Sequence, residues 1–441
     1  MGKIDVLVAA LSLTFLALLY GFAAQRFELF PYTLLEPAFA EVDKLTRKKI
    51  DVVPHYLEPA RYDWHGARAK NASAMQPGLT LLTSFWEDTN WRAALKLIDT
   101  DGSVLHTWRA DGAELWPESA DIMNYIKPFV HGSYLFANGD VVFNLEFQGL
   151  FRIDACGELV WRLPYTTHHS VDRDDDGNFW VPGNVKLSVD DPQDMAYLKP
   201  FIGISPLKKV PIMEDRIYKV SPQGELLEDI SMLEVLYLND LQRYIPKISR
   251  RQSGDILHMN DVEVLDAAMA RAFPMFSAGD LLVSLRHLHM VLVFDPQSGH
   301  VKWHETDDWI EQHDPDFNPD GTITVYDNNK GFGGKLGSML GGSRLVNFDP
   351  TTGHSIVQYP PKEGERFYSQ RGGKWQLLDN GNMLIAEPYG GKVFETTSDG
   401  DVIWEWINKP NNDNRVAEVM EATRYDISAE QVANWACSPK N

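Results

Sequence analysis

Most of the chain beyond its first 77 residues alternates apolar and polar positions with a period of two, which predicts short β-strands. The strands come in groups of three or four, separated by turns such as Asn138-Gly139. One such unit recurs six times between Leu79 and about residue 408. Because a unit of this length cannot bury both of its faces alone, we expect the units to stack radially as blades. The pattern therefore predicts an all-β fold, a six-bladed β-propeller over residues 78–409.

The N-terminal segment has a different pattern, an apolar run from Val6 to Ala24 that contains no charged residue. Nineteen such residues are just enough to cross a bilayer as a helix. We therefore predict a transmembrane anchor within residues 1–25, with a cleaved signal peptide as the alternative. Residues 26–77 are then a membrane-proximal connector. The basic residues around the run mildly favour an orientation with the propeller outside the cytoplasm.

The C-terminal segment, residues 410–441, is predicted to be a short helical tail. Ser428 and Gln431 have capping-box spacing ahead of apolar residues there. The chain has only two cysteines, Cys156 and Cys437, which exclude a disulfide-built scaffold and a cysteine-based zinc or iron–sulfur site. One disulfide between them remains open at this point.

The net charge of the chain limits the kinds of molecule that it can bind. The chain has 41 Lys and Arg against 62 Asp and Glu, so its formal net charge is −21. Nucleic-acid binding requires clustered basic residues, and this balance argues against it. With 44% hydrophobic residues the chain is a folded globular protein rather than a disordered one.

The repeat places several histidines and one asparagine at equivalent positions of their units. His131, His169, Asn260 and His313 occupy one equivalent position, about eight residues before the hairpin turn where a unit has one. Equivalent positions on the inner strands of a propeller face the same central channel. His258 lies two residues before Asn260 and so shares its face of the strand. We expect these side chains to converge; the alternative is that they merely line a water-filled channel.

A cluster of imidazoles beside an arginine suits group transfer. Imidazole acts as a nucleophile or general base near neutral pH, and an arginine binds the oxygens of a sulfate or phosphate group. Three histidines are also a possible metal-ligand set. Because no carboxylate stands beside them at helical ligand spacing, we expect neither a metal nor a cofactor.

Four segments resemble the bacterial arylsulfotransferase (arylsulfate sulfotransferase) family and its fungal relatives, and the resemblance covers residues 78 to about 408. Each segment alone is a weak match, but together they are in the family's order and register. They are "PGLTLLTSF", followed by "KLIDTDGSVLHTW"; the pair His168-His169 ahead of "DRDDDGN"; "HMNDVEVLD", followed by "LLVSLRHLHMVLVFD"; and "QHDPDFNPDGTITVYDNN", which contains His313.

The resemblance implies a ping-pong reaction. A phenolic sulfate ester would give its sulfuryl group to His313, and the resulting sulfohistidine would pass it to a phenol. His258, Asn260 and Arg286 would hold the sulfuryl oxygens, and His169 would orient or deprotonate the phenol. Because periplasmic members of the family are exported, we expect a single-pass protein of the cell inner membrane, held through residues 6–24, with its propeller in the periplasm.

The sequence departs from the family pattern in two places. Leu285 stands between Ser284 and Arg286, and Asp261 follows Asn260 where serine is commoner. The register favours His169 over its neighbour His168 as the residue that faces the channel. These departures leave a second hypothesis open, a catalytically inactive, membrane-anchored propeller that acts as a scaffold or subunit of a membrane complex with membrane-protein partners.

Overall fold

The structure is a computed structural model that describes residues 2, 11–21, 53–188, 190–201, 211–245, 254–330, 341–361 and 367–435. The chain forms two compact units, Met1–His55 and Tyr56–Asn441.

In the first unit, residues 11–21 form a helix, and its large apolar side chains are exposed. Across the described parts of the chain, no helix has both the length and the apolar character needed to cross a membrane. The anchor predicted over residues 6–24 extends beyond the described residues on both sides, so it stays a prediction. Most of the predicted connector, residues 26–52, also lies outside them.

The second unit is built almost entirely of short antiparallel strands. They are β1 (Leu57–Pro59), β2 (Gly66–Ala69), β3 (Leu79–Trp86), β4 (Arg92–Ile98), β5 (Val104–Arg109), β6 (Val130–Leu135), β7 (Val141–Leu145), β8 (Gly149–Ile153), β9 (Leu159–Leu163), β10 (Asp172–Arg173), β11 (Phe179–Leu187), β12 (Ile212–Val220), β13 (Leu226–Ser231), β14 (Met259–Val264), β15 (Leu281–Leu285), β16 (Met290–Asp295), β17 (His300–Glu305), β18 (His313–Phe317), β19 (Ile323–Asp327), β20 (Arg344–Asp349), β21 (His354–Tyr359), β22 (Trp375–Leu377), β23 (Met383–Glu387), β24 (Lys392–Thr396), β25 (Val402–Ile407), β26 (Arg415–Ala417) and β27 (Glu421–Tyr425).

Short helices lie between the sheets and after the last strand. The α-helices are α1 (Gly112–Leu115), α2 (Ala120–Ile126), α3 (Pro192–Leu198), α4 (Met232–Leu238) and α5 (Ala429–Ala433). Single 3₁₀ turns are Ala72–Ala74, Glu87–Thr89, Pro117–Ser119, Gln242–Tyr244, Met269–Ala272, Arg286–Leu288 and Pro388–Gly390.

The strands pair into six sheets that are the blades of a propeller, which confirms the predicted fold. Blades 2 to 5 are β6–β9, β10–β13, β14–β17 and β18–β21, each formed by four consecutive strands. Blade 6 is β22–β25, to which β2 adds a fifth, outer strand. Blade 1 takes β3, β4 and β5 from one part of the chain and β27 from another.

The ring is closed by β27, which differs from the helical tail predicted for residues 410–441. This strand is the inner strand of blade 1 and pairs antiparallel with β3, Glu421 opposite Thr83. A further strand of the predicted tail, β26, pairs with β1. The first repeat has only three strands of its own, so the inner edge of β3 would otherwise expose unpaired backbone groups. Only α5 matches the prediction, with the capping box of Ser428 and Gln431 in place.

Tryptophans at the outer side of three blades join each of them to the next blade. The indole N–H of Trp108 donates to the Gly139 carbonyl of blade 2 (3.0 Å), and that of Trp404 donates to the Thr100 carbonyl of blade 1 (2.7 Å). Trp161 makes the equivalent bond to Pro222 at 3.0 Å. Each contact ties an outer strand to a turn of the neighbouring blade, so the core lies between blades rather than within them.

The cysteine pair falls partly outside the described residues. Cys156 lies in the turn between β8 and β9 and is disulfide-bonded. Its predicted partner, Cys437, is not among the described residues.

The Trp404 contact gives a test of how the blades are held together. Trp404→Ala should lower the free energy of unfolding by about 3–5 kcal/mol, because it leaves a cavity between blades 6 and 1. Trp404→Phe keeps most of the packing and loses the hydrogen bond, for about 1 kcal/mol. Chemical denaturation followed by circular dichroism measures both. Equal losses in the two variants would contradict this account.

Candidate active site

Three of the six inner strands break their pairing where they reach the channel. The register shifts between Val130 and Ser133 in β6, and between Met259 and Asp261 in β14. The same break occurs in β18, directly after His313. A bulge of this kind re-aims one side chain out of the ladder. Equivalent residues of the six blades form a ring that lines a common cavity, namely His131, His169, Asn260, His313, Gly373 and Met420.

The backbone at these entry points is strained. His169, His258 and Asp314 have φ angles of 55°, 51° and 47°. Non-glycine residues adopt this left-handed region rarely, at a cost of about 1–3 kcal/mol each, and they do so mainly where function needs a fixed geometry. Blade 6 has glycine at the ring position, where the Cβ of any other residue would collide with the ring of Tyr326.

The hydrogen-bond network fixes the tautomer of His313. Its Nδ1 lies 2.6 Å from Oδ1 of Asn328. The amide group of Asn328 donates to the carbonyls of Ser369 and Gly372 (2.9 and 2.7 Å), so its oxygen must face the imidazole. An amide oxygen only accepts, so Nδ1 of His313 carries the proton and Nε2 has the lone pair. In agreement, Nε2 accepts the backbone N–H of Gly372 at 3.2 Å.

The surroundings also keep His313 neutral. Burial lowers the pKa of His313 well below its usual range, and the charge of Arg286 lowers it further, although Asn328 acts in the opposite direction. At neutral pH the ring is therefore unprotonated at Nε2, which is the state that a nucleophile needs.

Arg286 is the cation beside His313. It lies at the β15–β16 turn, where its guanidinium donates to Glu311 through Nη2. Its Nε is buried and has no hydrogen-bond partner in the structure. A buried N–H without a partner is costly, so this atom is a donor available for a bound oxyanion.

The imidazoles of His168 and His169 are hydrogen-bonded to each other. His169 lines the cavity, as the register favoured, and its Nδ1 lies 2.9 Å from Nδ1 of His168 behind it. Burial and then the charge of His258 lower the pKa of His168 to about 3. Burial and then the charge of His131 lower the pKa of His169 well below its usual range. Both imidazoles are thus neutral near pH 7.

His258 does not line the cavity that the six ring residues share. It shares a neighbouring cavity with His168 and His169, and its ring centroid is 5.4 Å from that of His169. Its Nδ1 contacts the carboxylate of Asp255 at 2.5 Å. Burial would raise the pKa of Asp255, but His258 and His287 outweigh it and lower this pKa to about 2. Asp255 is therefore ionised and orients His258.

Asn260 lines the cavity, and the N–H side of its amide is already hydrogen-bonded. Its amide donates to the Gln312 carbonyl at 2.7 Å, and its Oδ1 is buried without a partner. The structure thus brings His169, Asn260 and His313 together in one cavity and places His258 and Arg286 beside it.

Several residues of the site were not predicted. Asn328, which fixes the tautomer of His313, directly follows β19, and the Gly372 N–H comes from the chain just before β22. Asp255 stands three residues before His258, and that spacing was the only signal for it. Glu146, beside His131, comes from the β7–β8 turn and gave no periodic signal.

Among the described residues, two groups bring possible ligand atoms within 4.8 Å of one another: His131, Glu146 and His169; and Asp255, His258 and His287. Their carboxylates come from turns and loops, whereas the expectation from the sequence concerned carboxylates at helical ligand spacing. The expectation of no metal stays a prediction.

A second layer, one residue further along each strand, is acidic. It consists of Gly132, Ser170, Asp261, Asp314, Lys374 and Glu421. Lys374 donates to Asp314 at 2.8 Å. Burial and the nearby Asp314 raise the pKa of Asp261 well above its usual range. The channel thus changes from imidazole and guanidinium groups to carboxylates within one layer of residues.

Comparisons with known proteins give one family match and several distant structural similarities. The arylsulfotransferase (ASST) family model matches residues 133–409, which span blades 2 to 6. No curated protein matches significantly. Among solved structures, a protein of unknown function from Bacteroides caccae is 13% identical, with a TM-score of 0.48 over 79% of this chain and 98% of that one. TolB from Acinetobacter baumannii is 12% identical, with a TM-score of 0.42 over 78% and 66%.

Lys374 offers a test of the acidic layer. Lys374→Met should lower the free energy of unfolding by about 2–3 kcal/mol at pH 7, because it leaves neighbouring carboxylates without their cation. The loss should shrink at pH 5, where carboxyl groups with raised pKa values are protonated and repel one another less. Urea denaturation at both pH values measures this. Lys70→Met is the control and should cost under about 1 kcal/mol, because Lys70 is exposed and its partner Glu405 keeps a second cation, Lys392. A loss independent of pH would contradict the electrostatic explanation.

Proposed function

The chain belongs to the arylsulfotransferase family, and we propose on that premise that it transfers a sulfuryl group from a phenolic sulfate ester to a phenol through a sulfohistidine at Nε2 of His313. The observation that supports this most directly is the fixed tautomer of His313. A buried, neutral imidazole whose Nδ1 proton is held by Asn328 has a lone pair on one known atom.

The two half-reactions are nucleophilic displacements at sulfur. In the first, Nε2 of His313 forms a bond to sulfur while the bond between sulfur and the aryl oxygen breaks, and the phenolate leaves with the electron pair. In the second, the acceptor phenol gives its proton to a neighbouring histidine as its oxygen attacks sulfur, the N–S bond breaks and its electron pair returns to Nε2. Asn328 holds the Nδ1 proton throughout and stabilises the positive charge of the sulfated ring.

The groups around His313 suit a sulfuryl group. The Nε of Arg286 has no partner, and a second arginine, Arg371, is close enough for its charge to act on that of Arg286. Donors of this kind stabilise charge that accumulates on oxygen in the transition state. His258, held by Asp255, and the amide of Asn260 complete the set assigned to the sulfuryl oxygens.

The cellular location is proposed with the reaction. An anchor within residues 6–24 would hold the propeller at the periplasmic face of the inner membrane, where sulfate esters and phenols from outside the cell arrive. Protease treatment of intact spheroplasts tests this, because a periplasmic propeller is digested and a cytoplasmic one is protected.

Removal of the nucleophile tests the reaction. His313→Ala should lower transfer from 4-nitrophenyl sulfate to an added phenol by at least about 1,000-fold, since the proposed covalent intermediate forms on Nε2 of this ring. His354→Ala, which removes an exposed histidine on β21, is the matched control and should keep full activity. Release of 4-nitrophenolate and mass spectrometry of the peptide that contains His313 measure transfer and intermediate. Inactive wild-type protein that co-purifies with other membrane proteins would instead favour the scaffold hypothesis.

The pH dependence of the first half-reaction tests the state of His313. Because the pKa of His313 is lowered well below its ordinary value, formation of the sulfohistidine from 4-nitrophenyl sulfate should keep its rate from pH 8 to pH 6. If the nucleophilic histidine had an ordinary pKa, the rate of sulfohistidine formation would fall to half at about pH 6.5. Arg286→Leu removes a positive charge beside the ring, so its acid limb should move to higher pH. Rapid-quench kinetics on the two proteins measure the profiles, and a wild-type limb centred near pH 6.5 would refute this account.

A further inference from the structure

One side chain of the ring lies across the cavity from the nucleophile. His131 of blade 2 and His313 of blade 5 occupy equivalent ring positions and line the same cavity. In a ring of six blades, three steps in either direction separate blade 2 from blade 5, so the two imidazoles approach the cavity from opposite sides. The positive charge that His131 carries when protonated also lowers the pKa of His313, so the two rings interact across the cavity.

This position matters for the direction of transfer. Displacement at a tetrahedral centre such as sulfur places the attacking and leaving atoms roughly in line, as in phosphoryl transfer. With Nε2 of His313 on one side of the sulfuryl group, the aryl oxygen lies on the opposite side, next to blade 2. A phenolate of ordinary basicity, with a conjugate-acid pKa of about 10, needs a proton there as it leaves.

Glu146 prepares His131 to carry that proton. Oε1 of Glu146 lies 3.8 Å from Nδ1 of His131, an atom that is buried and makes no hydrogen bond in the structure. Burial would raise the pKa of Glu146, but His131, His168 and His258 outweigh it and lower this pKa, so the group is a carboxylate. Catalytic contacts are often long in a site without substrate and shorten when it binds. A carboxylate at Nδ1 stabilises the imidazolium and leaves Nε2 for proton transfer.

The neighbouring histidine is less suited to this step. His169 packs against His131, with ring centroids 4.2 Å apart, and it shares the cavity. The Glu146 carboxylate lies within 4.8 Å of a ring nitrogen of both histidines, but Nδ1 of His169 is already engaged with His168, so Nδ1 of His131 is the atom that Glu146 can hold. Among the described residues of the ring, His131 combines a place opposite His313 with a carboxylate behind it.

We propose that His131, positioned by Glu146, is the general acid and general base of the aryl oxygen. In the first half-reaction the His131 imidazolium gives its Nε2 proton to the phenolate oxygen as the S–O bond breaks. In the second, neutral His131 takes the proton of the acceptor phenol as its oxygen attacks sulfur, and so returns to the imidazolium. This assignment rests on the proposed function and adds to it the residue that permits phenols of ordinary acidity to serve as leaving group and acceptor.

The test varies the leaving group. Rates of sulfohistidine formation are measured with 4-nitrophenyl sulfate, whose phenolate leaves without a proton, and with phenyl sulfate, whose phenolate requires one. In His131→Ala the rate with phenyl sulfate should fall about 100-fold more than the rate with 4-nitrophenyl sulfate. Added imidazole should restore the phenyl sulfate rate selectively. Glu146→Gln should show the same selectivity to a smaller extent.

The outcomes separate this proposal from the proposed function. Wild-type protein that forms no sulfohistidine with either ester would refute the function itself. Sulfohistidine formation by wild type, with equal losses for both esters in His131→Ala, would overturn the role of His131 and leave the function intact. If treatment of wild-type protein with a chelator produces the same selective loss, and added zinc reverses it, His131 acts as a metal ligand and the proposal is wrong. His131→Gln serves as a second variant if His131→Ala does not fold.

Discussion

The site depends on one constraint, that the inner strands of blades 2, 4 and 5 leave their hydrogen-bonded ladders for a residue or two where they enter the channel. In a regular strand the ring positions of these three blades would stay within the ladder. The breaks after Val130, Met259 and His313 turn one side chain of each of these blades toward a shared cavity. The left-handed φ values of His169 and His258 are part of the cost. This cost is tolerated because interblade packing, anchored by residues such as Trp108 and Trp404, holds each strand in place.

The sequence could predict whatever repeats. Strand alternation and turns gave six blades, and the common position of His169, Asn260 and His313 gave the members of the ring. Features that occur only once in the chain could not be predicted from the repeat. Glu146 lies in a turn and Asn328 at the end of a strand, and the periodic pattern of the sequence does not tell where side chains at such positions point. The strand β27 was missed because it is a single strand without a hairpin partner next to it in sequence, so it looked like part of a tail.

The two layers of the channel explain how an acidic protein can favour an anion. The chain has a formal net charge of −21, yet Arg286 with its partnerless Nε lies beside the ring of imidazoles. The carboxylates of Asp261 and Asp314 lie one residue further along, where Lys374 compensates part of their charge. In the proposed reaction, these charges favour a sulfuryl group beside the imidazoles and disfavour one beside the acidic layer.

The closure by β27 also has a consequence for biosynthesis. Glu421 pairs with Thr83 across most of the sequence, and a contact between such distant residues forms late, because a long loop must close first. While the ribosome is still making the chain, blade 1 lacks its inner strand and the ring cannot close. The imidazoles around the cavity therefore come together only after Glu421–Tyr425 has been synthesised. A nascent chain that still lacks this strand cannot present the complete ring of residues, and the cavity is completed when the strand docks.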